Sequence, residues 1–322
     1  MRKILCVLLC VLMLASALVA CDKQDPLKIG LGVYTTASAT DAGEANGKGT
    51  ATMTVAAVLV DANGKIVQCQ IDCADNKVEY SADGKATAKT EFKTKYEMGA
   101  GYNMVAYGGA TKEWFEQADA FEALCVGKTA AEVLALVVNG DKGTDEVLAA
   151  GCTITVNEMA LAVEKAVKNA AESTATKADT LKLATLTELT SKDATEDAAG
   201  QQKLEVSFVA VALDAEGKVK GADVDCVQVA FGFDAAGKST FDASKAVLSK
   251  RELGDGYNMV AYGGAKLEWY AQADAFEGAI VGKTVSEIKA LMGADLKGNE
   301  EIIGAGCTIM INGFVDAIAK LG

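Results

Sequence analysis

The sequence predicts an α+β fold in which one domain occurs twice, each copy a small antiparallel sheet followed by helices. The first observation is a stretch, Gly101–Thr129, that recurs almost unchanged as Gly256–Thr284, at an offset of 155 residues. The second is that each copy opens with two β-branched runs joined by a turn and ends in segments of helical periodicity. The repeat is far longer than the roughly 20–50-residue periods of solenoids, which favours two tandem domains.

Two strands and a hairpin turn are predicted near the start of each copy. The first copy opens with a stretch rich in Thr, Ala and Gly that runs to about Gly49. Ala51–Val60 reads as a strand, Asn63-Gly64 suits a tight turn, and Ile66–Cys73 alternates like a half-buried strand. The second copy repeats this unit, and a third short strand is expected in each; these segments are Leu204–Leu213, Val219–Cys226, Val78–Tyr80 and Val227–Phe233.

The second part of each copy is predicted to be a loop followed by helices. The segment Gly101–Gly109 is too rich in glycine for a helix and should form a structured loop. Thr111–Leu124 has helical spacing, and Thr129 is a candidate N-cap for a helix over Ala130–Val138. A final amphipathic helix is expected to start at Asn157 or Glu158 and to end at about residue 171.

The chain therefore divides into five predicted segments. These are a signal peptide (1–20), a tether (21–29), a first repeat domain (30–171), a polar linker (172–179) and a second repeat domain (180–322). We expect each domain to fold by itself into the same shape, so that either half expressed alone would be compact.

The N-terminal segment predicts export and lipid anchoring. Arg2 and Lys3 precede an apolar run that is too short to span a membrane comfortably. The run ends in Leu-Val-Ala-Cys, which resembles the lipobox of bacterial lipoproteins, where the cysteine is acylated. This predicts lipid attachment at Cys21 and a location on the extracytoplasmic face of the cell membrane, with the membrane itself as a partner.

Composition excludes several classes of function. The formal net charge is −13, and loss of Arg2 and Lys3 with the signal segment makes it −15, so binding to nucleic acid is not expected. The chain contains no histidine, which excludes histidine triads and histidine metal ligands. A hydrolase would need a carboxylate or Ser/Lys site, and none has convincing spacing. The sequence therefore favours a protein that is not a stand-alone enzyme.

The Gly-rich loop is the most similar segment between the copies, and two explanations stay open. One is structural: backbone geometry at the glycines, with Tyr102, Tyr107 and Trp114 buried. The other is functional: a wall for a flat aromatic ligand, to which main-chain N–H groups are offered. The candidate ligand-binding residues in this loop are Tyr102, Tyr257, Gly108 and Gly263.

Cysteines and carboxylates leave further alternatives. Cys73 and Cys152 recur as Cys226 and Cys307, and they are either buried free thiols or a Cys73–Cys152 bridge with its twin in the second copy. The acidic side chains Glu113, Asp119 and Glu122 also recur, and they could be an acid/base couple, a cation site or a solvated helix face.

The order of these pieces resembles the FMN-binding domain family, which occurs in flavin-carrying subunits of ion-pumping oxidoreductases and in extracellular lipoproteins. The resemblance rests on the strand–turn–strand unit, the Gly-rich loop, the Trp-to-Gly-Lys helix and a Ser-Gly-Ala-Thr-like motif. That motif is Ala150-Gly151-Cys152-Thr153 in the first copy and Ala305-Gly306-Cys307-Thr308 in the second. In flavinylated members the threonine carries FMN through a phosphoester.

The resemblance implies FMN as cofactor, with Thr153 and Thr308 as acceptors and Gly151 and Gly306 beside them. It implies electron transfer to a redox partner protein. This sequence departs from the motif at three positions in each copy: Ala replaces the serine, Cys replaces the alanine, and Val147 or Ile302 replaces an acidic residue. The alternative is a ligand-binding or structural surface lipoprotein that keeps the fold without flavin.

Overall fold

The computed structural model describes residues 25–322, and the predicted signal peptide and Cys21 lie outside these residues. Within them the chain combines antiparallel sheets with helices, which confirms the predicted α+β class. We call residues 25–172 the first half and residues 173–322 the second half. The same order of long strands and helices occurs in both halves.

Each half contains a sheet built on three long antiparallel strands. The sheet of the first half comprises β1 (Lys28–Thr40), β2 (Gly47–Val60), β3 (Ile66–Tyr80) and the short β6 (Ala171–Glu172). The sheet of the second half comprises β7 (Thr180–Lys192), β8 (Gly200–Leu213) and β9 (Val219–Phe233). The strand order is β3-β2-β1-β6 in the first sheet and β7-β8-β9 in the second.

Helices cover one face of each sheet. In the first half they are α1 (Lys95–Met98), α2 (Trp114–Cys125), α3 (Ala130–Leu134), α4 (Asp145–Ala150) and α5 (Asn157–Asn169), with a small hairpin of β4 (Val137–Val138) and β5 (Lys142–Gly143). In the second half they are α6 (Lys250–Leu253), α7 (Trp269–Ile280), α8 (Val285–Lys289), α9 (Glu300–Ala305) and α10 (Asn312–Ala319).

The predicted turns and caps are confirmed. Asp61 Oδ1 accepts hydrogen bonds from the N–H groups of Asn63 and Lys65, each at 2.9 Å, and Gly64 has φ of 73°. Thr129 caps α3 through a capping box with Glu132. These signals are local, so they can be recognised without knowledge of the tertiary structure.

Several predicted boundaries differ from the structure. The stretch before Gly49 contains β1, and the expected third strand is the continuation of β3 to Tyr80. The helix expected to reach Val138 ends at Leu134, because Asn139 and Gly140 have positive φ and make the turn of a hairpin instead.

The two sheets pack face to face and share one hydrophobic core. Alternate residues of β2, such as Met53 and Val55, point at the facing sheet, where Phe208 and Phe231 are fully buried. The intervening residues of β2, such as Ala56 and Val58, pack under the helices of the first half. The result is four layers, helices–sheet–sheet–helices, in which both faces of the central strands are buried.

Polar contacts also join the halves. The side-chain oxygens of Gln68 and Gln70 accept the backbone N–H groups of Leu181 (2.9 Å) and Leu183 (2.8 Å). On the opposite edge Asp223 Oδ2 accepts the Leu31 N–H at 2.8 Å. Because these side chains satisfy backbone groups at the edges of the sheets, the two sheets are held in a fixed register.

The segment predicted as a linker is packed against the body. Its first residue, Glu172, belongs to β6, and Leu27 N–H donates to the Ala175 carbonyl at 2.7 Å. Ala175 itself is fully buried in the shared core. No helix within residues 25–322 has the length and apolar character needed to cross a membrane.

Candidate functional site

The two threonines of the predicted motif occupy equivalent exposed positions just after a helix. Gly151 ends α4 with φ of 93°, and Gly306 ends α9 with φ of 109°. Thr153 donates from its N–H (2.8 Å) and its hydroxyl (3.0 Å) to Oε1 of Gln117. Thr308 makes the same pair of bonds to Gln272, at 2.9 and 2.8 Å. Each threonine is therefore held to the preceding long helix by one glutamine.

These glutamines are buried and complete their own hydrogen bonds within the protein. Gln117 and Gln272 are each 1 % exposed, and their amide groups donate to the carbonyls of Lys112 and Leu267. Such an arrangement has a sufficient structural explanation, since it satisfies a buried amide and fixes the loop that follows the helix.

The residues around the threonines do not fit covalent flavin attachment as the resemblance implies it. The position of the family's acidic residue is Val147 in one half and Ile302 in the other, and both side chains are fully buried in the core. Cys152 and Cys307 are also fully buried. A carboxylate at the valine position would lie in an apolar environment without a partner, so the motif here contributes to packing.

The Gly-rich loop uses its main-chain N–H groups within the protein. The N–H groups of Met104 and Val105 donate to the carboxylate of Glu113, at 2.9 and 3.2 Å. Asn103 takes the left-handed conformation, and a Cβ added to Gly108 would lie 2.6 Å from the Met104 carbonyl oxygen. The loop of the second half, which contains Gly263, has the same bonds and the same close approach. The glycine is thus required by backbone geometry.

The three aromatic side chains associated with this loop have different environments. Trp114 is buried as expected, and Tyr102 is half-buried beside it. Tyr107 was expected to be buried under the structural explanation, but it is 88 % exposed, as is Tyr262.

The predicted residues Tyr102 and Tyr257 each lie beside a lysine. Lys95 Nζ lies 5.3 Å from the ring centre of Tyr102 and 5.6 Å from that of Trp114. Lys250 Nζ lies 5.2 Å from Tyr257 and 5.4 Å from Trp269. A cation between two aromatic faces is favourable by about 0.5–2 kcal/mol for each ring. The two tyrosines were predicted from the sequence as ligand-binding residues, whereas the two lysines were not.

A cavity of about 190 Å³ opens next to Lys250 in the second half. Its lining includes the buried residues Cys226, Ser207, Lys250 and Trp269. The other lining residues are Glu188, Thr190, Glu205, Leu296, Met310, Asn312, Gly313 and Phe314. The cavity thus combines polar and apolar groups in about equal measure, and it is smaller than the usual site for a drug-sized ligand.

The carboxylates of Glu188 and Glu205 and the ammonium group of Lys250 line this cavity, and Lys203 Nζ lies outside it, 3.7 Å from Glu205 Oε2. Lys250 Nζ donates to Glu205 Oε1 at 2.8 Å. Burial alone would raise the pKa of Glu205, but the Lys250 ammonium outweighs it and lowers that pKa. Glu188 accepts a bond from Asn312 Nδ2 at 2.9 Å. Glu188 is exposed, and partial burial of its carboxylate together with the nearby carboxylate of Glu205 raises its pKa. The cavity therefore has one acidic group more than it has basic groups.

The first half has the same framework around Lys95 but differs at the residues that would form the cavity. Glu158 stands where the second half has Gly313, and its carboxylate accepts a bond from Thr54 at 3.1 Å. Thr52 stands where the second half has Glu205. At Gly313 an added Cβ would lie 2.3 Å from Ser207 Oγ, so the glycine permits the close approach of α10 to β8, and no side chain at this position enters the cavity.

The repeated carboxylates of α2 have structural partners. Glu113 is 8 % exposed and holds the loop, whereas Asp119 accepts from the Tyr96 hydroxyl at 3.1 Å. Glu122 accepts the Ile71 N–H, and burial raises its pKa to about 8. Among residues 25–322 no cluster of three or more His, Cys, Asp or Glu side chains could hold a metal ion.

All six cysteines in the described part of the chain are buried free thiols. For Cys73, Cys152, Cys226 and Cys307 the structure therefore has free thiols and not the alternative pair of bridges. Burial raises the pKa of Cys73, Cys152 and Cys307 to about 11, so these thiols are protonated and unreactive at neutral pH.

Comparisons with known proteins found no matching family model, no matching curated protein and no matching solved structure.

Proposed function

We propose that this chain is a lipid-anchored extracytoplasmic binding protein that holds a small amine-bearing ligand in the cavity of the second half. The observation that carries the proposal is the carboxylate of Glu188, which lines a partly apolar cavity and has no cationic partner among residues 25–322. The anchor follows from the lipobox-like sequence that ends at Cys21.

The ligand class follows from the charge and size of the cavity. Glu205 is already paired with Lys250 and Lys203, whereas the charged groups that act on Glu188 are the carboxylates of Glu205 and Asp316. An ammonium group beside Glu188 would reduce the repulsion between these carboxylates and donate a hydrogen bond to the Glu188 oxygen that Asn312 does not contact. At roughly 30 Å³ for each water molecule, about 190 Å³ corresponds to about six waters, so the ligand is small.

The anchor would keep the protein close to the membrane. Leu27 is packed into the body, and the six residue-to-residue steps from Cys21 to Leu27 span at most roughly 20 Å when extended. Replacement of the acceptor, Cys21→Ser, should release the protein from the membrane fraction into the soluble fraction. Protein that stays in the membrane fraction after this change would contradict lipid anchoring.

Binding is tested by calorimetric titration of the full mature chain with small primary amines and with alcohols of the same carbon skeleton. We expect the amines to bind and the alcohols to bind at least tenfold more weakly. Glu188→Gln should weaken amine binding by about the same factor, because it keeps the size and removes the charge. The matched control is Glu158→Gln in the first half, which leaves the cavity untouched and should not change binding. Equal binding of amines and alcohols would contradict the proposal.

The flavin carrier implied by the sequence resemblance is the second candidate. The exposure of Thr153 and Thr308 at equivalent positions favours it, while the apolar neighbours of both threonines and the hydrogen bonds that already engage their hydroxyls count against it. The absorption spectrum and intact mass of protein from a host with flavin-transfer enzymes distinguish the two candidates. Flavin absorbance with a mass gain that Thr153→Ala and Thr308→Ala remove would establish the carrier.

A further inference from the structure

Two cysteines without counterparts in the second half meet in the core of the first half. Cys69 lies on the face of β3 that packs under the helices, and Cys125 is the last residue of α2. Both side chains belong to the same buried cluster, with exposures of 8 % and 0 %.

The backbone on both sides of this pair is tied together. Gly127 N–H donates to the Ile66 carbonyl at 2.7 Å, and Ile66 N–H donates to the Lys128 carbonyl at 2.9 Å. On the other side Glu122 Oε1 accepts the Ile71 N–H at 2.6 Å. Cys69 and Cys125 lie between these ties, on the facing surfaces of the strand and the helix.

The two thiols are neighbours. The contact with the Cys125 thiol, followed by burial, raises the pKa of Cys69 well above that of a free thiol. Cys152 is also near Cys125, but it lies on the loop after α4 and its counterpart Cys307 recurs in the second half.

The second half shows that the fold does not need this pair. At the equivalent positions it has Ala222 and Ile280, and both lie in the corresponding cluster under α7. The other four cysteines of residues 25–322 occur as two equivalent pairs of positions, so Cys69 and Cys125 are a feature of the first half alone.

We propose that Cys69 and Cys125 are oxidised to a disulfide during folding outside the cytoplasm. The oxidant is a disulfide-bonded thiol compound or oxidoreductase: its S–S bond is reduced to two thiols, while the two cysteine thiols lose their hydrogens and form one S–S bond. The compartment rests on the proposed extracytoplasmic location, but the chemistry depends only on an oxidant. Because both thiols are buried in the folded chain, oxidation precedes closure of the core and the completed bond is sheltered from reductants.

The test uses the mature chain with Cys21→Ser, reduced in denaturant and refolded with a mixture of reduced and oxidised glutathione. Alkylation under denaturing conditions should label four of the six thiols, whereas the fully reduced protein is labelled at all six. Peptide mapping should then join the peptides of Cys69 and Cys125. The matched variant is Cys69→Ala with Cys125→Ile, which takes the residues of the second half; it should fold and label at all of its remaining thiols.

Six labelled thiols after refolding in oxidant would overturn the proposal, as would a mapped link between Cys125 and Cys152. Location is tested separately by fractionation of the native host. A cytoplasmic protein that still forms the Cys69–Cys125 bond on refolding would disprove the location and leave the bond established.

Discussion

Separating the two halves should unfold them, because each would expose the face that it buries against the other. The perturbation is to express the mature chain as two polypeptides, one ending at residue 172 and the other beginning at residue 173. The sequence alone led us to expect that either half would be compact, so this experiment distinguishes that expectation from a shared core.

The magnitude follows from the side chains of the shared core. The first half contributes eight large apolar side chains to it and the second half contributes seven. Burial of one such side chain stabilises a protein by about 1.5–3 kcal/mol, so a separated half loses at least about 10 kcal/mol. Whole domains are stable by only about 5–15 kcal/mol, so little or no stability would remain.

The assay combines analytical ultracentrifugation with thermal unfolding followed by circular dichroism. Each half alone should be unfolded or self-associated, since the exposed sheet face can also pair with a second copy. Co-expression of the two halves should give a 1:1 complex that melts cooperatively like the intact chain. A monomeric half with a cooperative transition close to that of the intact chain would refute the reasoning.

Three substitutions test the packing and charges described above. An added Cβ at Gly49 would lie 2.3 Å from the Phe231 ring. Gly49→Ala should therefore lower the free energy of unfolding in urea by about 1–3 kcal/mol. The control is Gly43→Ala, which has open space around it and should change the unfolding free energy little. Burial raises the pKa of Glu122 from 4.5 to about 8. The folded state therefore binds this proton more tightly than the unfolded state does. The contribution of Glu122 to the free energy of unfolding falls as pH rises from about 4.5 to 8. Glu122→Gln should flatten the pH dependence of the unfolding free energy over that range, and an unchanged slope would contradict this. Arg251 of the second half pairs with Glu277, and the equivalent residues of the first half are Tyr96 and Glu122. Tyr96→Arg should therefore stabilise the chain by about 1–2 kcal/mol at pH 8, where Glu122 would gain a cationic partner. An unchanged or lower urea midpoint at pH 8 would contradict this prediction.

Local signals accounted for the hairpin turns and helix caps, but not for β1. Gly30 and Gly32 weaken the strand pattern in the sequence. Both are required by tertiary packing: an added Cβ at Gly30 would lie 2.0 Å from the Ala166 carbonyl oxygen, and one at Gly32 would lie 2.3 Å from that of Ala162. The close approach of α5 to β1 is visible only in the folded chain.

The sequence of β2 also indicates the shared core. Nearly every residue from Ala51 to Val60 is apolar, whereas a strand with one solvated face would alternate. A strand buried on both faces needs a covering layer on each side, and the predicted helices supply only one. The facing sheet of the other half supplies the second.

The cavity could not be found from a motif because its residues come from separate elements. Glu188, Glu205 and Lys250 are distant in sequence and meet through the pairing of β7 with β8 and the position of α6. The sequence difference that points to the cavity is Gly313, which stands where the first half has Glu158. The similarity between the copies pointed instead to the Gly-rich loop as a ligand site, but backbone geometry explains the glycines of that loop.

The face-to-face arrangement has a consequence for how the two copies diverged. A single repeat that paired through this face would form an isologous homodimer with the same four layers. Fusion places both copies in one polypeptide at high effective concentration. The sheet face of each copy then has to fit only the other copy and no longer a second copy of itself. The fused molecule then behaves as a covalent heterodimer, in which one subunit could gain a pair of thiols while the other acquired an open acidic cavity.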